Sequence, residues 1–473
     1  MKKEKQVKKV GIVGFQRSGM ACAKALLKEN VKVFVNDSSA EVRGKFETFL
    51  SELSMIPEFR GKTINIDGKF GVNSEKLLKQ DMIIVSPGVP LNLAIFRKAQ
   101  KKRIPVIGEL EFAYESFCRD GKEKEIIGVT GTNGKTTTVH LVNNILKEAK
   151  KNSVVCGNTG TAFTEVVNLY GIQNFIPVIE ISSFQLESIK TFRPKVGVLL
   201  NVTADHLNRY KNIGEYRKAK LRLFMNQTKD DFAILNFDAK NMRELNLKSR
   251  KLYFSTMYKR TSSSILSPDI WVEGNDIICN TGKSSRTVEK FNTKALNIRW
   301  GCLMEDYLAA ILAAKVLGIS REHIIKGLKA FKGVSNRMEE VDTYKGIKII
   351  NNSMCTNPAA FIEVLNSLGK TGTILIAGGK EKNFSTVKMV EAMNKNAKFC
   401  VLIGEAAKRL SKGLTVKHKE AKSMESAVEI AFSKAQKEDV IILSPGFASF
   451  DWYRDYSARG EDFRQKVRAY IKN

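Results

Sequence analysis

A glycine-rich segment, GVTGTNGKTTT from Gly128 to Thr138, contains the residue types that bind phosphate. It follows the apolar pair Ile126-Ile127 and precedes another apolar run, which predicts a strand, a loop and a helix. Glycines let the backbone approach a phosphate, and the N–H groups of a helix N-terminus attract the anion. Lys135 would bridge the outer phosphates, and the Thr136 hydroxyl would ligate Mg²⁺. An ordinary strand-to-helix turn is the alternative, and Gly-Lys-Thr after a buried strand favours a nucleoside triphosphate site.

Two further polar residues follow apolar strands downstream of this loop. Glu180 ends the strand in VIEISSFQ, and His206 lies in NVTADHL after the next strand. Open α/β sheets bind ligands at the carboxyl ends of their strands, so both are candidate Mg²⁺ ligands. A surface-bonded carboxylate on an edge strand would explain Glu180 equally simply. A capping or core histidine is the simpler explanation of His206 taken alone.

Two more segments have residues suited to chemistry. Lys220 lies at the apolar edge of the basic helix YRKAKL, where a lysine that extends its amine to solvent is the plain alternative. The segment LSPGFASFD, from Leu443 to Asp451, places two serines and a Pro-Gly turn after an apolar strand. These groups offer donors to a carboxylate, although ordinary loop structure would account for them too.

The elements that must position these residues alternate between strands and helices. At the start of the chain, strands are predicted at Lys9–Val13, Val31–Val35 and around Asp81–Gly88, with an Ala-rich helix through Leu27. This pattern predicts a doubly wound α/β domain. The loop GFQRSG lacks the middle glycine of GxGxxG, so it also fits a simple packing turn. Asp37, at the end of the second strand, suits a ribose or uracil contact.

The length of 473 residues predicts about three domains. The polar stretch DGKEK before the phosphate-loop strand suits a boundary, and a further α/β series begins near Val341. We therefore predict an α/β protein with domains at residues 1–119, 120–333 and 334–473. The first and third are expected to be Rossmann-like, and the second a phosphate-loop ATPase with a parallel sheet.

Composition narrows the class of protein. The chain has 78 basic and 49 acidic residues and a net charge of +29, which raises nucleic-acid binding as a possibility. The lysines are spread over the whole length without interleaved aromatics, so anionic small substrates are preferred and neither nucleic acid nor membrane is expected as a partner. Seven scattered cysteines without a CxxC pair indicate reduced thiols. No apolar run is long enough for a signal peptide or a membrane span, so a cytoplasmic protein is expected.

The motifs occur together in an order that resembles the Mur ligase family of ATP-dependent amide-forming enzymes. The resemblance extends over nearly the whole chain and rests on GVTGTNGKTTT, EISSFQLE, NVTADHLNRY with YRKAK, LIAGGKEKN and LSPGFASFDWYRDYSARG. Within the family, SSFQLE and SPGFASFD are similar to the branch that adds D-glutamate to UDP-N-acetylmuramoyl-L-alanine. The resemblance implies a UDP-binding domain, a central ATPase and a third domain that binds the incoming amino acid.

The resemblance also implies roles for individual residues. The implied ATP-binding residues are Gly131, Thr132, Asn133, Gly134, Lys135, Thr136, Thr137, Arg337 and Asn352. The implied substrate-binding residues are Ser18, Asp37, Ser38, Ser86, Asn158, Ser182, Thr356, Lys382, Ser449 and Tyr456. The implied metal ligands are Thr136, Glu180, His206 and Lys220, and the implied catalytic residues are Lys135, Lys220 and His206. Lys220 matches the family's carbamylated lysine, which would act as an anion toward a second Mg²⁺.

Three departures from the family pattern lie outside the phosphate loop. NDSKATN is replaced by NNSMCTN, so Asn352 and Met354 lack the expected negative and positive charges. The adenine-side pattern GxHNxxN has Leu303-Met304 in place of His-Asn. Of the usual His-Arg pair before the third domain, Arg337 remains. By motif, Lys380 and Lys382 are the nearest candidates to replace the cation lost at Met354.

The expected reaction is amide formation through an acyl phosphate, with ATP and two Mg²⁺ ions, giving ADP and phosphate in peptidoglycan precursor synthesis. Two alternatives stay open. A nucleotide-binding protein without turnover is favoured by Asn352 and Met354. A related ligase would use another amino acid, such as L-glutamate, and a folylpolyglutamate-type enzyme is disfavoured by Asp37-Ser38 and Ser86-Pro87-Gly88. A monomer is expected.

Overall fold

The computed structural model describes most of the chain. The described residues are 7–61, 63–121, 124–171, 175–203, 205–206, 209–260, 266–281, 288–296, 298, 304–369, 372–381 and 384–472. They form α/β structure with three sheets, which confirms the predicted fold class. The first two sheets belong to one compact unit, and the third sheet belongs to another.

The first sheet is parallel and has the strand order β3-β2-β1-β4-β5. Its elements are β1 (Lys9–Val13), α1 (Arg17–Lys28), β2 (Lys32–Asp37), α2 (Val42–Met55), β3 (Ile66–Phe70), β4 (Met82–Val85), α3 (Ala94–Lys101), β5 (Val106–Gly108) and α4 (Glu109–Phe117). The strand order reverses beside β1, and sheets of this kind bind ligands at the carboxyl ends of their strands at such a reversal. This is the doubly wound arrangement predicted from the alternation of strands and helices.

The second sheet has the order β14-β13-β12-β11-β10-β9-β6-β8-β7. Its strands and the helices between them are β6 (Ile127–Thr130), α5 (Lys135–Glu148), β7 (Ser153–Gly157), α6 (Phe163–Tyr170), β8 (Ile176–Glu180), α7 (Ser183–Leu186), β9 (Val196–Leu199), α8 (Ile213–Leu221), β10 (Phe232–Asn236), α9 (Lys240–Arg243), β11 (Arg250–Ser255), β12 (Ile270–Glu273), β13 (Asp276–Cys279), β14 (Glu289–Asn292), α10 (Met304–Val316) and α11 (Arg321–Ala330). Strands β6, β8 and β9 are fully buried, because helices cover both faces of a parallel sheet.

Strands β13 and β14 extend this sheet in antiparallel fashion, which the sequence analysis did not predict. Gly274 and Asn275 form the two-residue connection between β12 and β13, and Gly274 has a φ of +61°. Such a pair is a hairpin signal. The strands were missed because each has only four residues.

Helix α4 packs into the core of the second sheet although it directly follows the last strand of the first. Leu110, Ala113 and Phe117 are buried with Phe163 and Phe192 of the central part. The helix therefore belongs to both parts of this compact unit. The residue boundaries drawn from the sequence stay a prediction.

The third sheet has the order β15-β16-β20-β17-β18-β19, in which only β15 is antiparallel. Its elements are β15 (Glu339–Tyr344), β16 (Ile347–Asn351), α12 (Pro358–Leu368), β17 (Thr373–Gly378), α13 (Val387–Asn396), β18 (Ala397–Ile403), α14 (Ala407–Ser411), β19 (His418–Glu420), α15 (Met424–Lys434), β20 (Val440–Gly446) and α16 (Tyr456–Lys472). Asn357 caps α12 through its side chain, and Pro358 occupies the first helical position. Among the described residues, none of the helices has the length and apolar character needed to cross a membrane.

Candidate active site

The phosphate loop, Gly131 to Gly134, connects β6 to α5 as the sequence predicts. Gly134 has a φ of +86°, and a Cβ there would lie 2.0 Å from Asp306 Oδ1. Only glycine fits both the left-handed backbone and this contact. Lys135 folds back over the loop, because its Nζ donates to the carbonyls of Gly131 at 2.9 Å and Thr132 at 2.8 Å.

Asn201, just beyond the end of β9, holds the phosphate loop from the neighbouring strand. Its Oδ1 accepts from the backbone N–H groups of Thr132 at 3.1 Å and Asn133 at 2.9 Å. Two amides predicted to face ATP are therefore bound to a side chain of the protein. The sequence analysis did not single out Asn201. The available signal was an asparagine directly after the strand beside the phosphate-loop strand.

Glu180 is the central carboxylate of the site and is only 2% exposed. It accepts hydrogen bonds from Thr136 Oγ1 at 2.7 Å, Asn158 Nδ2 at 2.9 Å and Thr159 Oγ1 at 2.9 Å. Strand β8, which Glu180 ends, lies between β6 and β7, so the alternative of an edge-strand surface carboxylate is wrong. The structure thus brings together three residues named from the sequence, Thr136, Asn158 and Glu180. Thr159 was missed.

Lys220 lies on the last turns of α8 and is 1% exposed, which excludes the solvent-reaching alternative. Its Nζ donates to the Gly131 carbonyl at 2.8 Å and lies 4.5 Å from the centre of the Tyr216 ring. The pKa of Lys220 is lowered to about 7, chiefly by burial and also by the nearby Lys135 cation, while Asp205 opposes the shift. A substantial fraction of this amine is therefore neutral near pH 7.

His206 stands apart from the Glu180 cluster in the contacts it makes. Its side chain is 44% exposed, its φ is +53°, and its ring centre lies 4.9 Å from that of Phe184. Its Nε2 is 3.5 Å from Asp205 Oδ2. Over the described residues, no group of three or more His, Cys, Asp and Glu side chains is arranged to hold a metal ion. The role of His206 as a metal ligand stays a prediction.

A cleft of about 550 Å³ opens between the first sheet and the central part of the same compact unit. Of the predicted substrate-binding residues, those that line it are Ser18, Asp37, Ser86 and Asn158. Arg17, which the sequence analysis missed, also lines it and donates to the Asn158 carbonyl at 2.8 Å. Ser38 is exposed outside this lining.

Asp37 and Ser86 are fixed by the loops around this cleft. Asp37 accepts from the N–H groups of Phe15 at 2.8 Å and Ser39 at 2.9 Å, and Ser86 Oγ donates to the Gly14 carbonyl at 2.7 Å. These bonds hold the carboxyl ends of β1, β2 and β4 in one shape. Ser182, by contrast, forms the capping box of α7 with Gln185.

In the third part of the chain, Asn352 directly follows β16 and is buried. Its Oδ1 accepts from the Met338 N–H at 3.2 Å, and its Nδ2 donates to Ser444 Oγ at 3.1 Å. Arg337 precedes Met338 and forms a backbone bridge to Val334. The neutral Asn352 side chain is thus satisfied by bonds within its own domain.

A buried arginine assembles the loops that carry Ser449 and Tyr456. Arg459 is 1% exposed and donates to Ser353 Oγ at 3.0 Å, to the Ser353 and Phe447 carbonyls at 2.9 and 3.0 Å, and to the Ala448 carbonyl at 3.2 Å. Ser353 Oγ in turn donates to the Tyr456 carbonyl at 2.8 Å. Burial lowers the pKa of Arg459 to about 10.

The remaining predicted residues of this part have mixed outcomes. Lys380 Nζ is 2.7 Å from Glu405 Oε1, and both side chains are nearly half exposed, so this cation already has a partner. That bond speaks against the expectation that Lys380 replaces the charge missing at Met354. Thr356 lies in the loop between β16 and α12. Lys382 and the stretch Trp300 to Leu303 lie outside the described residues.

Three parts of the chain match domains of known protein families. Residues 8–108 match the Mur ligase MurD-like N-terminal domain, residues 129–318 the Mur ligase middle domain, and residues 336–447 the Mur ligase glutamate ligase domain. Two relatives named UDP-N-acetylmuramoylalanine–D-glutamate ligase are similar over 97% of this chain. The one from Pelotomaculum thermopropionicum is 37% identical over 97% of its own length, and that from Clostridioides difficile 36% over 98%.

Solved structures share the fold at lower identity. A UDP-N-acetylmuramate-alanine ligase from Thermotoga maritima has a TM-score of 0.57 at 17% identity, over 98% of this chain and 99% of its own. A MurF ligase from the same organism, solved in complex with ADP, has a TM-score of 0.55 at 17% identity, over 85% of this chain and 94% of its own. A pseudomurein peptide ligase type C from Methanothermus fervidus has a TM-score of 0.52 at 18% identity, over 98% and 100%.

Proposed function

The chain belongs to the Mur ligase family, and from that premise we propose that it joins D-glutamate to UDP-N-acetylmuramoyl-L-alanine at the expense of ATP, with ADP and phosphate as products. The observation that carries the proposal is the shared carboxylate of Glu180. Thr136, at the start of the helix after the phosphate loop, and Asn158, in the wall of the 550 Å³ cleft, both donate to it. One group therefore links a triphosphate site to a substrate cleft, as phosphoryl transfer between two ligands requires.

The substrate carboxylate attacks the γ-phosphate of ATP, the bond to ADP breaks, and an acyl phosphate forms. The neutral amine of the amino acid then attacks the acyl carbon, phosphate leaves, and the nitrogen loses one proton as the amide forms. Lys135 neutralises charge on the outer phosphates once it exchanges its two loop carbonyls for the nucleotide. The Gly134 backbone and the N-terminus of α5 present N–H groups to the anion. Ser18, Asp37 and Ser86 orient the nucleotide part of the substrate in the cleft.

The donor set at Thr136 and Glu180 fits Mg²⁺. A hydroxyl and a carboxylate oxygen are hard ligands of the kind this cation takes. The side chains that donate hydrogen bonds to Glu180, those of Thr136, Asn158 and Thr159, are all neutral. When bound, Mg²⁺ supplies electrostatic stabilisation of the transferring phosphoryl group. We propose His206 as a further ligand on the strength of the family motif.

We propose that Lys220 is carbamylated in the working enzyme. The amine is enclosed, its pKa is about 7, and a second cation, Lys135, disfavours its charged form. A neutral amine attacks carbon dioxide, an N–C bond forms and one proton leaves, which turns the side chain into an anion. That anion would serve a second Mg²⁺ and would attract Lys135 rather than repel it.

A nucleotide-binding protein without turnover is the second candidate, and Asn352 and Met354 favour it. The test is phosphate release with UDP-N-acetylmuramoyl-L-alanine, D-glutamate, ATP and Mg²⁺, each left out in turn. Release that requires all four supports the ligase. ATP binding without release for D-glutamate, L-glutamate and related amino acids would contradict it and favour the second candidate.

Two coarser features complete the proposal. We propose a cytoplasmic protein, which the unpaired state of the six described cysteines supports, because reducing compartments keep thiols free. We also propose a monomer. Sedimentation velocity across a range of protein concentrations checks this, and a species of twice the chain mass at micromolar concentration would contradict it.

A further inference from the structure

We propose that Asn201 and Glu305 act together as positioning residues that hold the phosphate loop in its nucleotide-binding shape. The inference rests on the proposed function, since it concerns the same loop. Neither residue is in the set that the sequence analysis assigned to ATP. Asn201, just after β9, bonds directly to the loop, and Glu305, in the first turn of α10, bonds to Asn201.

Asn201 bonds to the phosphate loop through both its backbone and its side chain. Its backbone carbonyl accepts from the Thr132 N–H at 3.1 Å, and its Oδ1 accepts from the N–H groups of Thr132 and Asn133. Its Nδ2 donates weakly to the Asn133 carbonyl at 3.3 Å. Because both faces of the amide are used, the loop peptide at Asn133 is fixed in orientation, and the turn through Gly134 into α5 follows from it.

Glu305 fixes which way round the Asn201 amide lies. Its Oε2 accepts from Asn201 Nδ2 at 3.2 Å, and its Oε1 accepts from Asn236 Nδ2 at 3.1 Å. The carboxylate can only accept, so both amides must turn their NH₂ groups toward it. That leaves Asn201 Oδ1 facing the loop, where two N–H donors need it. The next residue, Asp306, contacts the same loop region, accepting from Thr138 Oγ1 at 3.4 Å.

The donor–acceptor logic permits a swap experiment. Asn201→Asp keeps an acceptor for the loop but sets two carboxylates against each other. Glu305→Gln replaces one of the two acceptor oxygens with an NH₂ group, which then faces the NH₂ group of Asn201 or of Asn236. The double variant restores the pairing between positions 201 and 305, because the new amide at 305 donates to the new carboxylate at 201 and accepts from Asn236. The weak bond to the Asn133 carbonyl is lost in the Asn201→Asp single variant and in the double variant alike, so it does not affect their comparison. It also keeps the net charge of the wild type.

The measurement is the Kd for ATP with Mg²⁺ by calorimetry, without the other substrates, so it needs no turnover. We expect Asn201→Asp to weaken binding by on the order of 10-fold or more and Glu305→Gln by several-fold, with the double variant binding at least about 5-fold better than the product of the single effects predicts. Gln227→Leu is the matched control. It removes a buried amide bonded to the Pro194 and Phe232 carbonyls at the amino ends of β9 and β10, and should lower stability without changing Kd.

Single variants that bind ATP within twofold of wild type, or a double variant that shows only the product of the two effects, would overturn the inference. If Asn201→Asp does not fold, Asn201→Ala tests the loop contact without adding charge, because it removes the side-chain acceptor of the Thr132 and Asn133 N–H groups and keeps the backbone bond to Thr132. With alanine at 201, Glu305→Gln should then weaken ATP binding no further, since Glu305 acts through the Asn201 amide. Failure of the proposed function is a separate result. A wild type that binds ATP but releases no phosphate leaves the swap experiment fully interpretable.

Discussion

Glu180 and Asn352 are both buried polar residues at the carboxyl end of inner strands, but their partners differ in kind. Glu180 is an anion that three side chains approach with neutral donors, Thr136, Asn158 and Thr159. Asn352 is neutral, and it bonds to the Met338 N–H and to Ser444 Oγ. Neutral donors leave the negative charge of Glu180 available to a cation, whereas the Asn352 amide carries no charge that could attract one. The Glu180 carboxylate is therefore suited to a cation, whereas the bonds of Asn352 join elements of its own domain.

The largest expected effect tests the central side of this comparison. Lys135→Ala removes the cation that lies over the loop, and we expect kcat to fall on the order of 100-fold or more, because a preorganised charge at the transferring phosphate is lost. Phosphate release measures it. Lys147→Ala, an exposed lysine on the same helix, is the control and should keep wild-type turnover. Near-normal turnover of folded Lys135→Ala would show that the loop is not the reaction centre.

Lys220→Ala should be nearly inactive as well, because it removes the amine on which the proposed carbamate forms. We expect short carboxylic acids added to the assay to restore part of the activity of Lys220→Ala and to leave wild type unchanged. Lys218→Ala is the matched control, since that side chain is 76% exposed on the same helix. An intact-mass spectrum of the active Mg²⁺-loaded protein that shows a free amine at 220 would contradict the carbamate.

Stability offers a readout of Lys220 that does not depend on catalysis. The folded-state pKa is about 7 and the ordinary value is 10.5, so between these pH values the unfolded chain binds more protons than the folded one. Stability from this group is therefore lowest below pH 7 and rises with pH by up to about 1.4 kcal/mol per unit. In buffer free of carbon dioxide, Lys220→Met should be more stable than wild type at pH 7, by a margin that shrinks toward pH 9. Urea unfolding at several pH values measures this, and a constant margin would contradict the buried-amine account.

The sequence predicted most of what local patterns encode. Strand, glycine loop and helix around Lys135, and the doubly wound start of the chain, followed from apolar runs and punctuating glycines. The sequence analysis named Glu180, Thr136 and Asn158 for separate roles, which stay predictions, and the structure shows that Thr136 and Asn158 both donate to Glu180. The burial of Lys220 was not decided by its sequence neighbours, because the tertiary packing of α8 against the loop sets it.

The sequence analysis did not predict the long-range hydrogen bonds, because the residues that make them lie in ordinary local sequence. Asn201 contacts the loop across 69 positions of the chain, and Arg459 bonds to Ser353 across 106. An asparagine after a strand and an arginine in a polar helix are common, so neither stands out before folding brings its partners together. The β12–β13 hairpin had a Gly-Asn turn, but its strands are too short for alternation to show.

A smaller effect tests the third-domain side of the comparison. Met354→Lys places a cation in the loop after β16, where the family pattern has one. We expect kcat to rise by about 2- to 10-fold if the enzyme turns over, since one charge placed at a developing anion has an effect in this range or larger. Steady-state kinetics with all four components measures it. A fall in kcat without loss of folding would indicate that the site is adapted to a neutral residue there.

The smallest expected effect concerns Lys380, the cation that the motif suggested as a substitute. Its amine already binds Glu405 at 2.7 Å, and that exposed pair raises the pKa of Lys380 through the hydrogen bond and the charge of Glu405. Exposed pairs of this kind contribute little to stability because water screens both charges, so Lys380→Ala should leave folding unchanged and alter kcat by no more than about twofold. Lys380→Ala is also measured in the Met354→Lys variant, as a control for coupling between positions 354 and 380 in their effects on kcat. If Lys380→Ala instead lowers kcat 10-fold and Met354→Lys recovers it, Lys380 leaves Glu405 during the reaction, and the third domain supplies its missing charge by exchange just as the phosphate loop does.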